Sequence, residues 1–130
     1  MWPTAVLLGD SQTQLAWEAG GWAQSLAEKF VRKIDIIDRG FSGYNTRMIN
    51  TILPDALSQD VLKRVKIVCI FHGSNDASIE DKNQVVPVEE FGENILKIIS
   101  YLLSNVVSKE SLVIISPHQY ILRYGQQLLT

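Results

Sequence analysis

The chain has 130 residues, of which 46% are hydrophobic and 20% are charged, and its formal net charge is −2. This length fits one domain with its own core, and the composition excludes an intrinsically disordered chain. The 12 basic residues are scattered, which argues against a nucleic-acid partner, and no apolar run approaches the roughly 20 residues of a membrane-spanning helix.

The cysteine and histidine content indicates the cellular compartment. The single cysteine, Cys69, excludes an intramolecular disulfide, and its spacing from His72 and His118 is unlike that of a zinc site. The first residues lack the basic segment and the uninterrupted apolar segment of a signal peptide. We therefore expect a reduced, cytoplasmic protein that has no metal site and no membrane partner.

Four short runs rich in valine and isoleucine alternate with longer segments along the chain. The runs lie at 4–8, 34–37, 65–71 and 112–115. Continuous apolar runs of this length are typical of strands buried on both faces of a parallel sheet, and the intervening segments are long enough for crossover helices. The alternation predicts an α/β domain with a parallel sheet.

Each intervening segment carries an apolar stripe at helical spacing, which we interpret as core packing. Pro54 is expected to bend or end the second helix, whereas Pro87 fits the first position of the third. After Ser116 one short amphipathic helix is expected. The apolar positions are, in chain order, Trp22, Leu26 and Phe30; Met48, Ile49, Ile52 and Leu53; Val88, Phe91, Ile95, Ile98 and Leu102; and Tyr120, Ile121, Tyr124 and Leu128.

Hydroxyls, amides and glycines follow the predicted strands at their carboxyl ends, the edge where open α/β sheets bind ligands. The segments 9–13 and 39–47 follow the first and second strands, and 72–76 follows the third. Ser11 has the position of a nucleophile on a strand-to-helix turn, and Asn75 supplies an amide donor for a developing oxyanion. This convergence predicts a site for acyl transfer.

The motif GDSQT at 9–13, then Gly43, then the motif GSND at 73–76 resemble the first three sequence blocks of the SGNH (GDSL-type) hydrolases. The resemblance covers most of the chain, from about residue 2 to residue 115. Four further runs resemble the isoamyl acetate-hydrolysing esterase group within that family; they are 20–22, 39–47, 52–54 and 73–77.

The resemblance implies a flavodoxin-like, three-layer α/β/α fold with the strand order 2-1-3-4-5. It also implies that Ser11 is the nucleophile, and that the amides of Ser11 and Gly43 form an oxyanion hole with the side chain of Asn75. The substrates would be small acyl esters, acetates among them, and no metal or organic cofactor is expected.

One block of the family has no counterpart in this sequence. The family's general base lies in an Asp-x-x-His block after the fifth strand, whereas the last aspartate here is Asp81. We therefore expect an SGNH domain over 1–116 that lacks the fifth strand and the last helix, followed by a divergent tail over 117–130. Its fourth strand would then be a bare sheet edge, which predicts self-association.

Two residues have competing interpretations as the missing base. His72 stands where the family usually has an apolar residue, and His118 follows the fourth strand, with another strand between it and Ser11. Each is interpreted as lining a pocket or the edge of the core, with recruitment as a base as the alternative. Asp10 and Asp76 are expected to brace their own turns. Two functions therefore stay open: a serine esterase that is incomplete in this chain, and a catalytically inactive product that acts as a binding module or as a partner-dependent fragment.

Overall fold

The computed structural model describes residues 2–105 and 107–117. Within them a parallel sheet forms from four strands in the order β2-β1-β3-β4. The strands are β1 (Thr4–Gly9), β2 (Asp35–Gly40), β3 (Val65–Phe71) and β4 (Leu112–Ile114). The predicted α/β class and the predicted order of these strands are confirmed. His118 and the predicted tail helix lie outside the described residues.

Helices connect the strands across both faces of the sheet. No helix in the described part of the chain has the length and apolar character needed to cross a bilayer. The helices are α1 (Ser11–Gln14), α2 (Trp22–Lys29), α3 (Thr46–Ala56), α4 (Gln59–Leu62) and α5 (Val88–Ser104), with 3₁₀ turns at Leu15–Trp17 and Lys109–Ser111.

The two faces of the sheet are covered unequally. On one face, strand residues pack with α3 and α5 into the larger core, because the apolar stripes predicted from the sequence point inward there. On the other face, α2 and the first 3₁₀ turn take part in a smaller buried cluster, which consists of Leu7, Ala16, Ala23 and Cys69. The larger core consists of Val6, Leu8, Ile49, Leu53, Leu57, Leu62, Val68, Ile70, Ile95, Ile98, Leu102 and Val107.

The expectation that every strand is buried on both faces is wrong. All residues of β1 are buried, but Ile67 of β3 and Val113 of β4 expose 45% and 47% of their surface. The face that carries α2 is buried at Leu7 of β1 and at Cys69 of β3, whereas Ile67 and Val113 on the same face stay exposed. The pattern of apolar residues predicts a strand but not what lies against it.

The helix α3 does not end at Pro54, where an end or a bend was expected; it contains Pro54 and ends two residues later, at Ala56. Proline has no N–H and therefore cannot donate to the carbonyl oxygen of Asn50, four residues earlier, yet the helix continues past this missing bond. The next turn is closed by Leu57 N–H, which donates to Leu53 O at 2.8 Å. Burial of Leu53 and Ala56 against the sheet holds this end of the helix in place.

Candidate active site

Ser11 is the first residue of α1. It directly follows Asp10, which lies between the end of β1 and this helix. Asp10 Oδ1 accepts a hydrogen bond from Gln12 N–H at 3.0 Å, so Asp10 braces its own turn as expected. Burial raises the pKa of this carboxyl group. Ser11 is partly exposed, and its hydroxyl forms no hydrogen bond with any described residue. Ser11 is therefore partly exposed on a turn that the side chain of Asp10 stabilises.

The helix that carries Ser11 packs closely against the end of β2. A Cβ atom on Gly40 would lie 2.1 Å from Gln14 N, so only glycine permits this approach. Gln14 Oε1 also accepts a hydrogen bond from Ser42 N–H at 2.7 Å. The loop after β2 is therefore attached to the helix that bears the predicted nucleophile.

The sheet register brings the three predicted site segments to one edge. Gly9 at the end of β1 is paired with Gly40 of β2 on one side and with Phe71 of β3 on the other. Gly9 O also accepts a hydrogen bond from Phe41 N–H at 2.9 Å. The segments that contain Ser11, Gly43 and Asn75 thus leave three adjacent strand ends, with the Ser11 segment in the middle.

Gly43 and Asn75 belong to two loops that contact each other directly. Gly43 has a φ of +81°, a conformation that favours glycine, and its N–H forms no hydrogen bond with the described residues. Asn75 Nδ2 donates to Tyr44 O at 2.8 Å. Gln84 Nε2 donates to Gly43 O at 2.9 Å, and Asn45 Nδ2 donates to Gln84 O at 2.8 Å. These bonds hold the Gly43 loop against the segment that follows β3.

Asp76 does more than brace its own turn, because its side chain also connects two loops. Its fully buried carboxyl group accepts hydrogen bonds from Thr46 N–H at 3.1 Å and from the Thr46 hydroxyl. Asn94 Nδ2 in turn donates to Thr46 Oγ1 at 3.0 Å. Burial raises the pKa of Asp76. The sequence analysis missed Thr46 and Asn94; the available signal was an asparagine at a position within the apolar stripe of α5.

His72 has no orienting carboxylate within the described residues. Its side chain is 1% exposed, and neither ring nitrogen has a hydrogen-bond partner there. Burial lowers the pKa of His72 to about 4. A general base needs a hydrogen bond to the nucleophile and a group that orients it. The position of His72 therefore agrees with the interpretation as a residue at the edge of the core.

Replacing His72 with phenylalanine is expected to make the fold more resistant to acid. The pKa of His72 is about 4 when folded, below the usual value of about 6.5, so the unfolded chain binds the proton more readily. The free energy of unfolding is therefore undiminished above about pH 6.5 and decreases as the pH drops toward about 4. The decrease reaches about 2 kcal/mol at about pH 5. Urea unfolding of both proteins at about pH 7.5 and pH 5 checks this. If the free energy of unfolding decreased equally in the two proteins between these pH values, the result would contradict the prediction.

Comparison with known proteins places these features in a family. The sequence profile of the GDSL-like Lipase/Acylhydrolase family matches residues 7–126. The isoamyl acetate-hydrolyzing esterase 1 homolog of Rattus norvegicus is 42% identical over 120 residues, which cover 90% of this chain and 48% of that protein. The homolog of Homo sapiens is 40% identical over the same shares of the two chains. The chain thus spans about half the length of the curated relatives it matches.

Solved structures support the same fold at lower identity. The crystal structure of the acetyl xylan esterase AlAXEase superposes with a TM-score of 0.75 at 18% identity, and the match covers 88% of this chain and 58% of that one. At this identity the likeness concerns the fold alone. The motifs at three adjacent strand ends, the sheet order and the family match agree, and the chain belongs to the GDSL-like lipase/acylhydrolase family.

Proposed function

We propose that this chain carries the nucleophile and the oxyanion hole of a serine esterase that cleaves small acyl esters, acetates among them. One contact supports this proposal most directly: the hydrogen bond from Asn75 Nδ2 to Tyr44 O. This bond holds an amide donor beside the Gly43 loop. Asn75 follows β3, which is the neighbour of the strand that precedes Ser11. The relatives named as isoamyl acetate-hydrolyzing esterase 1 homologs support the choice of acetate esters.

In the proposed reaction, the Ser11 hydroxyl oxygen attacks the ester carbonyl carbon and gives up its proton to a water molecule. The carbonyl oxygen becomes an oxyanion that accepts hydrogen bonds from the N–H groups of Ser11 and Gly43 and from Asn75. A carboxamide has two N–H donors, so Asn75 can bind Tyr44 O with one and the oxyanion with the other. Collapse of the tetrahedral intermediate breaks the ester C–O bond, and the departing alkoxide takes up the proton that Ser11 lost. Water then attacks the acyl-serine, which releases the carboxylic acid and restores the Ser11 hydroxyl.

The competing proposal is a binding module that holds small esters without cleaving them. It is favoured by His72, which is the one histidine among the described residues and lacks a carboxylate partner there. The serine hydroxyl and the oxyanion donors would be the same in both proposals. The two differ in whether Ser11 forms a covalent bond.

Covalent labelling distinguishes the two proposals. The chain is incubated with an activated acetate ester or with a serine-directed fluorophosphonate, digested, and analysed by peptide mass spectrometry. The esterase proposal predicts an acyl or phosphonyl adduct on the peptide that contains Ser11, and none on the same peptide of Ser11→Ala. Ester binding without an adduct would support the binding module, and labelling of other serines alone would exclude Ser11 as the nucleophile.

We also propose that the protein is cytoplasmic. We further propose that it self-associates through the edge of its sheet. Within the described residues, β4 pairs with β3 only, so one side of its backbone is an open sheet edge. Beside that edge lies an apolar cavity of about 320 Å³, lined by Ile67, Val113 and Ile115 among others. A second copy of the chain would satisfy both the edge and the apolar side chains.

We therefore expect Val113→Lys to reduce self-association of the chain. Val113 is 47% exposed on this face, whereas Ile79 is 80% exposed outside it. Ile79→Lys adds the same charge and is the matched control, with little expected change. Light scattering or sedimentation over a range of concentrations measures the effect. A wild-type chain that stays monomeric at every concentration would contradict the expectation.

A further inference from the structure

The peptide unit that carries the Gly43 N–H lies between two glutamine side chains. On one side, Gln14 Oε1 accepts a hydrogen bond from Ser42 N–H at 2.7 Å. On the other side, Gln84 Nε2 donates to Gly43 O at 2.9 Å. A glycine has more backbone freedom than any other residue, so its position depends on hydrogen bonds at its neighbouring atoms. These two carboxamides supply such bonds on both sides of the Gly43 N–H.

Gln84 is itself anchored and does not swing freely at the surface. Its carbonyl oxygen accepts a hydrogen bond from Asn45 Nδ2 at 2.8 Å. Asn45 is 1% exposed, and its Oδ1 accepts a hydrogen bond from Met48 N–H at 3.0 Å, which caps α3. Gln84 is thus attached to the loop after β2 through its backbone and through its side chain. Its side chain also lies beside the Gly43 Cα, since a Cβ there would be 3.6 Å from Gln84 Nε2.

Gln14 links the same loop to the nucleophile. It is the last residue of α1, the short helix that begins at Ser11. A shift of the Gly43 loop relative to Ser11 would therefore stretch the Gln14 bond on one side or the Gln84 bond on the other. An oxyanion donor acts only within a narrow range of distances, so this restraint bears on the reaction.

We propose that Gln14 and Gln84 are positioning residues that hold the Gly43 N–H at the place where the oxyanion forms. This inference rests on the esterase function proposed above. Neither glutamine touches the reacting atoms in it, and both act through the Gly43 loop. A misplaced donor destabilises the transition state more than the ground state, because its hydrogen bond is strongest when the carbonyl oxygen carries the developing negative charge. Loss of either glutamine should therefore lower kcat and leave KM nearly unchanged.

Methionine substitutions test this with a matched control. Gln14→Met and Gln84→Met keep the length of the side chain and remove its hydrogen bonding. Gln59→Met is the control, because Gln59 is an exposed glutamine on α4, away from the site. Hydrolysis of an activated acetate ester is measured over a range of concentrations, and the rate of Ser11→Ala is subtracted. We expect kcat to fall about tenfold in each test variant with KM within about twofold, and no change in Gln59→Met.

A second substitution at the same site sharpens the test. In Gln84→Glu, a carboxylate oxygen replaces the amide nitrogen and repels Gly43 O, so kcat should fall further than in Gln84→Met. Thermal unfolding monitors the fold of each variant, and because the two glutamines lie on separate segments, either one decides the inference if the other variant does not fold. Unchanged kcat, or a change confined to KM, in folded variants would overturn the inference while the esterase function stands. A wild-type chain without Ser11-dependent hydrolysis would overturn both.

Discussion

Replacing Asn75 with alanine is expected to lower the Ser11-dependent rate of acetate-ester hydrolysis by about 10²–10³-fold, equivalent to about 2.7–4 kcal/mol of transition-state stabilisation. Asn75 is held by its bond to Tyr44 O at 2.8 Å, which fixes the plane of the amide and leaves its second N–H for the oxyanion. The oxyanion forms only during the reaction, so the loss should fall on kcat and not on KM.

Steady-state kinetics with a small activated acetate ester measures the effect, with Ser11→Ala as the background. Asn83→Ala is the matched control, because Asn83 is an exposed asparagine in the same loop and its side chain forms no hydrogen bond with the described residues. Asn75→Asp keeps the shape but places an acceptor against the oxyanion, so it should be at least as slow as Asn75→Ala. A fall of less than about tenfold in both Asn75 variants would exclude Asn75 from the oxyanion hole.

Asp76→Ala is expected to lower the free energy of unfolding by about 2–4 kcal/mol. The carboxyl group of Asp76 is fully buried and accepts hydrogen bonds from both the N–H and the hydroxyl of Thr46. Alanine would leave these two buried donors without an acceptor, and each such donor costs about 1–3 kcal/mol. Because the bonds join the segment after β3 to the start of α3, the Gly43 loop should loosen as well.

Urea unfolding at neutral pH measures this loss of stability. Asp76→Asn should be milder than Asp76→Ala, since it keeps an acceptor for Thr46 and removes the charge that burial disfavours, as the raised pKa of Asp76 indicates. Glu80→Ala is the control, because Glu80 is an exposed acidic residue in the same segment and should change stability by less than about 0.5 kcal/mol. An Asp76→Ala protein as stable as the control would show that these bonds contribute nothing to the fold.

Local patterns in the sequence were sufficient to locate the four strands and the longer helices α2, α3 and α5, whereas the short helix α4 was not predicted. Runs of β-branched residues and apolar stripes at helical spacing depend on neighbours along the chain, so they are visible without any tertiary information. The ends of the elements were less predictable. The second strand continues to Gly40 through Asp38 and Arg39, because a strand at the edge of the sheet can place polar side chains toward solvent and loops.

The positions of Ser11, Gly43 and Asn75 at the sheet edge also followed from the sequence, since carboxyl ends of parallel strands share one edge and the motifs resemble a known family. Their catalytic roles remain predictions. Their partners were not predictable. The Gln84–Gly43 bond joins residues 41 apart in the chain, and the Asp76–Thr46 bonds join residues 30 apart.

The burial of polar groups, like their hydrogen-bond partners, could not be predicted from the sequence. The sequence shows that Asp76, His72 and Asn94 are polar, but it does not show that the fold leaves them 0%, 1% and 4% exposed. Burial depends on which helices cover which part of the sheet, and that depends on contacts between segments far apart in the chain. Only the tertiary structure therefore decided that Asp76 joins two loops and that His72 lacks a partner among the described residues, because neither outcome follows from spacing along the chain.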